Sequence, residues 1–173
     1  MAADSIREVV FGFEDGVVQN MTLVAGMVGA QLSSRVIFIA ASINAIAGVL
    51  SMSMGTYLSS QAERDVAKAT NGPELDAARS PRKDALVMAG AYAVGAGVPL
   101  IPFVLGVSPL AAALAVAVVL TAVTLFALGA LKGALSHQHR FAAGLQMLLL
   151  ASAAGLAGFF LGVAARAVFG LEV

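Results

Sequence analysis

The 173 residues carry ten Lys and Arg against ten Asp and Glu, a formal net charge of zero, and are 60% hydrophobic with only 12% charged. Mean hydropathy is +0.92, and soluble domains hold about 25% charged residues, so the balance excludes an ordinary water-soluble domain and leaves no basic surface for nucleic acid. The absence of cysteine rules out disulfides, thiolate metal sites and cysteine nucleophiles.

A helix of about 20 apolar residues crosses the hydrocarbon core, and five segments reach that length: 6–30, 35–60, 83–106, 108–133 and 138–169. The expected fold is therefore an all-α integral membrane protein of five transmembrane helices forming one domain, 1–173. The first segment contains acids and lacks a basic leader, so it reads as a retained helix and not as a signal peptide. Beside Glu8 it holds the adjacent pair Glu14 and Asp15, although an ionised carboxylate at the bilayer centre costs roughly 2.5–3.5 kcal/mol. Glu8, Asp15, Gln19 and Thr22 recur at helical spacing and share a face, while Glu14 and Asn20 are rotated about 100° from it.

After a polar turn at Gln31 to Arg35, the second segment carries a stripe of Asn44, Gly48, Ser51, Gly55 and Ser59, with Met52, Thr56 and Glu63 beside it. Met54 points away from that stripe, and with Met21 and Met27 reads as packing. The hydrophilic stretch 61–82, QAERDVAKATNGPELDAARSPR, is expected as a loop, with Asn71-Gly72-Pro73 and Ser80-Pro81 as breakers. In the third segment, Pro99 and Pro102 each remove an i−4 hydrogen bond and free the carbonyls of Gly95 and Val98. Those oxygens either face a cation or only mark a kink. Ser108-Pro109 opens the fourth segment with an N-cap and a first-turn proline. His137 and His139 lie in the turn before the fifth and read as solvated. Gly12/Gly16, Gly129/Gly133 and Gly158/Gly162 are small-residue pairs suited to close helix packing. Gln19 and Asn44 are expected to hydrogen-bond between helices.

With five helices, one side of the membrane receives Arg7, Arg64, Lys68, Arg79, Arg82, Lys83, Lys132 and Arg140, eight of the ten basic residues, and the other only Arg35 and Arg166. The positive-inside rule puts the N-terminus and the 61–82 loop in the cytoplasm. At 1.5 Å per residue Asp15 then lies about 13 Å from the cytoplasmic start of the first helix, and Met52 about 12 Å from the cytoplasmic end of the second. If the short turn makes these helices neighbours, a carboxylate and a thioether meet at one depth. Oxygen ligands suit hard cations and sulfur softer ones, so the mixture favours a first-row metal such as Fe²⁺ over Mg²⁺ or Ca²⁺. Metal binding requires deprotonated carboxylates, so protons compete for the same groups. The bland alternatives are an Asp15 paired with Arg7 and a Met52 that only fills space.

FGFEDGVVQNMTLVAG (11–26) resembles the first-helix signature of the vacuolar iron transporter family, and AGVLSMSMGTYLSSQAERD (47–65) its second. Gly95 to Phe103, GAGVPLIPF, is similar to the family's third-helix Gly-x-x-x-Pro-x-x-Pro segment. The resemblance implies a homodimer of five-helix subunits that exports Fe²⁺ from the cytoplasm in exchange for protons. It places the metal at a first-helix aspartate and second-helix methionine, matching Asp15 and Met52. The family's second-helix glutamate is Thr56 here, which makes Glu14 the candidate auxiliary acid. Gln19, Thr56, Ser59 and Glu63 are expected along the path. The family's glutamate-rich cytosolic domain is replaced by a short hydrophilic stretch that, counted through residue 84, holds only Glu63, Asp65, Glu74, Asp76 and Asp84. That points to a shorter branch and gives Mn²⁺ weight beside Fe²⁺. The expected function is proton-coupled export of Fe²⁺ and/or Mn²⁺ by a homodimer, with no resident cofactor and no enzymatic chemistry. The alternative is a non-transporting anchor or assembly partner for a metal-storage protein. The Ala- and Gly-rich composition suggests a bacterial plasma membrane.

Overall fold

The computed structural model describes residues 2–71 and 80–170, and every element in it is helical: α1 (Ala2–Gly29), α2 (Ser34–Asn71), α3 (Pro81–Gly97), a 3-10 turn (Val98–Leu100), α4 (Ile101–Val104), α5 (Leu110–Leu135) and α6 (Arg140–Phe169). The expected breakers Gly72 and Pro73, and Glu74, Asp76 and Arg79, lie outside the described residues. Within them, the stretch expected as a loop from Gln61 is instead a continuation of α2 to Asn71. Residues 61–70 supply Ala, Gln, Glu, Arg and Lys, all strong helix formers, and Lys68 in the last turn complements the helix dipole.

Among the described residues, four helical segments are long and apolar enough to cross a membrane: Ser34–Thr70, Pro81–Val104, Leu110–Leu135 and Arg140–Phe169. Five are expected from the sequence. α1 has 28 residues, which is sufficient length, but Glu8, Glu14, Asp15, Gln19 and Asn20 leave it without a membrane-length stretch as apolar as those in the other four.

Packing explains where those polar residues go. Gly12, Gly16 and Asn20 of α1 face Met88, Tyr92 and Ala96 of α3, so these helices run parallel. Thr22 and Gly26 face Gly158 and Gly162, which makes α6 parallel to α1 as well. α2 is antiparallel to α3, with Gly48 on Tyr92 and Ser60 on Asp84. α5 is antiparallel to α6, with Gly129 against Ala143 and Gly144. The lateral order is thus α2, α3, α1, α6, α5, and α5 also closes onto α1 through a cluster of Val17, Leu125 and Met147. The helix that carries carboxylates and amides at mid-length, Glu14, Asp15, Gln19 and Asn20, is the central one, where protein groups replace lipid around it.

All three glycine pairs are consumed inside one chain. A β-carbon at Gly16 would come 2.9 Å from the Ala96 amide nitrogen, and one at Gly129 would come 2.7 Å from the Ala143 carbonyl. They seat α1 on α3, α5 on α6, and α6 on α1. Met21 joins a core cluster with Ala25 and Ala117, and Met27 packs beside Val24 and Ile37. Met54, expected to pack, is 64% exposed on the outer face of α2. The fourth predicted helix begins two residues later than expected. Pro109 itself is its N-cap residue, with no side-chain capping bond; its carbonyl instead accepts the amides of Ala112 and Ala113. The turns at 30–33 and 136–139 are closed by backbone bonds from Leu32 to Met27 and from Gln138 to Gly133, and His137 and His139 are exposed there.

Candidate metal pathway

The 3.6-residue repeat puts Met52, Thr56, Ser59 and Glu63 on one side of α2, and the structure brings all four to a single cavity of about 350 Å³. Arg7, Glu8 and Phe11 of α1, Ser51 and Ser60 of α2 and Met88 of α3 also line it, so one guanidinium stands among the acids. The cavity lies toward the end of the bundle where α1 and α3 begin and α2 ends. It offers two carboxylates, Glu8 and Glu63, two thioethers, and the hydroxyls of Thr56 and Ser59. Gly55 also borders it and has open space where a β-carbon would stand. Among the described residues, no three His, Cys, Asp or Glu side chains cluster closely enough to hold a metal by themselves. Any metal taken up here uses sulfur and hydroxyl donors beside carboxylates.

Asp15 and Glu14 do not line this cavity. The expectation that the first two helices lie side by side, bringing Asp15 onto Met52, is altered by α3, which packs on both and meets each more extensively than they meet each other. Asp15 stands one turn beyond Phe11 on the same α1 stripe, half-buried, and interacts electrostatically with Tyr92 of α3. Glu14 is half-buried and lies within the electrostatic reach of Lys132 on α5 as well as of Asp15. The two adjacent acids therefore serve different neighbours. Further along the stripe, Gln19 and Thr22, with Asn44 of α2, border a second cavity of about 470 Å³ that also touches α6 at Gly158 and Leu161.

Interhelical hydrogen bonds concentrate between the two cavities. The Tyr92 hydroxyl donates to Gln19 Oε1, and Asn44 Nδ2 donates to Asn20 Oδ1 at 3.2 Å. Asn20 is fully buried and donates its own Nδ2 to the Ala96 carbonyl at 2.7 Å. That last bond has a local cause. In the 3-10 register of 98–100 an amide bonds the carbonyl three residues back, so the donor for Ala96 would be residue 99, a proline without an N–H. Asn20 supplies the donor from another helix. The carbonyls that Pro99 and Pro102 were expected to free are occupied: Val98 N–H donates to Gly95 and Ile101 N–H to Val98. The local 3-10 turn thus supplies the donors that the prolines remove.

Tyr92, Asn20 and Asp84 were not legible as site residues. Asp84, counted with the loop acids, is 5% exposed in the first turn of α3 and accepts a 3.0 Å bond from Ser60 Oγ. Its signal was its place just after Ser80-Pro81, where a helix N-terminus favours an acid.

The fold and this polar core define an all-helical membrane protein of the transporter class, with its polar stripe on the helix most enclosed by protein. The VIT family model matches residues 6–77 and 69–163, and the chain belongs to that family, the vacuolar iron transporters. It is 26% identical to vacuolar iron transporter 1 of Eucalyptus grandis over 91% of this chain and 85% of that protein. It is 24% identical to vacuolar iron transporter 2 of Oryza sativa subsp. japonica over 96% and 90%. A shorter match, 38% identical over 64 residues, covers 37% of this chain and 26% of the vacuolar iron transporter of Centaurea cyanus. The chain thus spans about a quarter of the length of that relative. The Eucalyptus alignment runs over 214 positions, whereas 91% of 173 residues is about 157. About 57 positions of the relative therefore stand opposite no residue here. The two family-model segments meet at 69–77, between α2 and α3. These relatives are eukaryotic and named for the vacuole, which gives no support to the bacterial plasma membrane inferred from composition.

Proposed function

We propose that this chain is a proton-coupled transporter that moves Fe²⁺ and/or Mn²⁺ out of the cytoplasm, working as a homodimer. The observation that carries the reading is the α1 stripe, which leads from the Met52 cavity past Asp15 to the second cavity, in a family whose relatives are named iron transporters. α1 is the fifth membrane crossing: its length suffices, and its polar side chains turn toward neighbouring helices. The basic residues at the ends of α2, α3, α5 and α6 favour a cytoplasmic N-terminus, which makes the Met52 cavity the cytoplasmic entrance.

In this scheme Glu63 and Glu8 draw the cation in, Ser59 and Thr56 replace part of its hydration, and Met52 supplies a soft ligand. Asp15, one turn deeper, takes the metal when deprotonated and a proton when the metal leaves, so one site exchanges the two ions. Glu14, within electrostatic reach of Lys132, adjusts the charge beside Asp15. Gln19 continues the path on the far side. A second copy covers the part of α1 and α2 that a single chain leaves open, where Gln19, Ser51, Gly55 and Ser59 are exposed at a cost in lipid. No covalent step is involved.

Purified protein in proteoliposomes with an imposed pH gradient tests this. Fe²⁺ or Mn²⁺ accumulation above protein-free vesicles is expected. If neither ion moves, the transport reading fails, and a role as membrane anchor or assembly partner takes its place.

A further inference from the structure

The two cavities share no lining residue. On α1 the first ends at Phe11 and the second starts at Gln19; on α2 the corresponding residues are Ser51 and Asn44. Eight residues of helix amount to about 12 Å, and the level between holds Asp15, Gly48 and Tyr92. Tyr92 follows Met88 of the first cavity by one turn of α3 and is 0% exposed. Its ring fills the space beside Gly48: the phenol occupies the position a β-carbon there would take. Its hydroxyl reaches across α1 to Gln19 at the mouth of the second cavity. A large side chain thus closes the passage at the depth of the stripe's only aspartate, and a single hydrogen bond to a partly exposed amide holds it. Glycine at 48 is the condition for that closure.

From this geometry we infer that Tyr92 is the gate between the two cavities, latched by Gln19 and shut in the present structure. The gate gives the transport reading, on which it rests, its barrier: an ion at Asp15 reaches the Gln19 side only when the ring swings from Gly48 and the latch breaks. A neutral hydrogen bond whose partners can be replaced by water or another amide is worth little net, so the latch is strong enough to bias the ring and weak enough to open in every cycle. Tyr92 acts as a positioning residue and needs no contact with the metal.

Because the chain has no cysteine, a Thr22→Cys reporter in the second cavity reads the gate directly. A membrane-impermeant thiol reagent is applied to sealed vesicles from the face carrying Glu63. With Tyr92 intact the thiol is protected from that face; in the Tyr92→Ala background labelling rises at least tenfold, and in Tyr92→Phe, which keeps the ring and loses the latch, a few-fold. Labelling from the opposite face stays unchanged in all three, which also reports that the variants are folded. Equal protection with and without the Tyr92 ring overturns the gate, and Tyr92→Phe matching wild type overturns the latch. Labelling needs no metal flux, so a wild-type protein that moves no metal refutes the transport reading while the gate is still measured.

Discussion

Asn20 makes the most quantitative prediction. Its side chain joins three helices: it donates to Ala96 of α3 at 2.7 Å and accepts from Asn44 of α2 at 3.2 Å. Leucine has a similar volume and can do neither, so Asn20→Leu strands the buried Ala96 carbonyl and the Asn44 amide. A buried polar group left without its partner costs about 1–3 kcal/mol, whereas an interhelical hydrogen bond in a bilayer averages about 0.6 kcal/mol. With two bonds lost, a destabilisation of about 1–2 kcal/mol is expected in denaturant unfolding of the detergent-solubilised protein. The diagnostic is suppression. Pro99→Ala returns an N–H to the residue that would serve Ala96 in the 3-10 register, so Asn20→Leu should cost less in the Pro99→Ala background. The coupling expected is about 0.5–2 kcal/mol, above the roughly 0.3–0.5 kcal/mol scatter of independent sites. Asn44→Leu, which touches only Asn20, should show no such rescue. Additive costs for Asn20→Leu and Pro99→Ala would refute the claim that Asn20 replaces the proline's missing donor.

Other outcomes follow from the same geometry. Gly48→Ala drives a methyl into the Tyr92 phenol and should destabilise by about 1–3 kcal/mol, as overpacking does, with most of the loss recovered in a Tyr92→Ala background; Gly55→Ala, which enters open space, should be near neutral in the same thermal-shift assay. Metal binding measured by calorimetry should weaken as pH falls, because protons and metal compete for the same carboxylates, and Asp15→Asn should flatten that dependence. Single-cysteine variants at Ser51 or Gly55 should cross-link between copies in membranes, and failure at both would count against the proposed dimer face.

How much the sequence foretold depended on whether a feature sits on one helix or between two. Met52, Thr56, Ser59 and Glu63 share a cavity because helical spacing along α2 alone puts them on one side, and periodicity reads that directly. The glycine pairs were equally legible as close-packing marks, but their partners were not, since a small-residue pair does not name the helix that fills it. The packing of α3 on both α1 and α2, more extensive than their packing on each other, was hidden for the same reason. A short turn makes neighbours in sequence look like neighbours in space, and only tertiary packing shows Tyr92 of α3 seated against Gly16 of α1 and Gly48 of α2. Asn20 was passed over because it lies off the Asp15 stripe. Its role arises from a defect in another helix, the missing N–H of Pro99, and a residue that compensates a distant backbone gap leaves no local pattern. α1 fell short as a hydropathic span because of the polar side chains that its central position allows it to keep.

The central claim is that Asp15 carries metal and protons alternately along a path entered beside Met52. The most direct test records metal uptake and internal pH together in proteoliposomes holding wild-type or Asp15→Asn protein. The account predicts proton movement opposite to metal in wild type, with both fluxes lost together in Asp15→Asn. Metal flux that persists in Asp15→Asn with unchanged proton counterflow would contradict it.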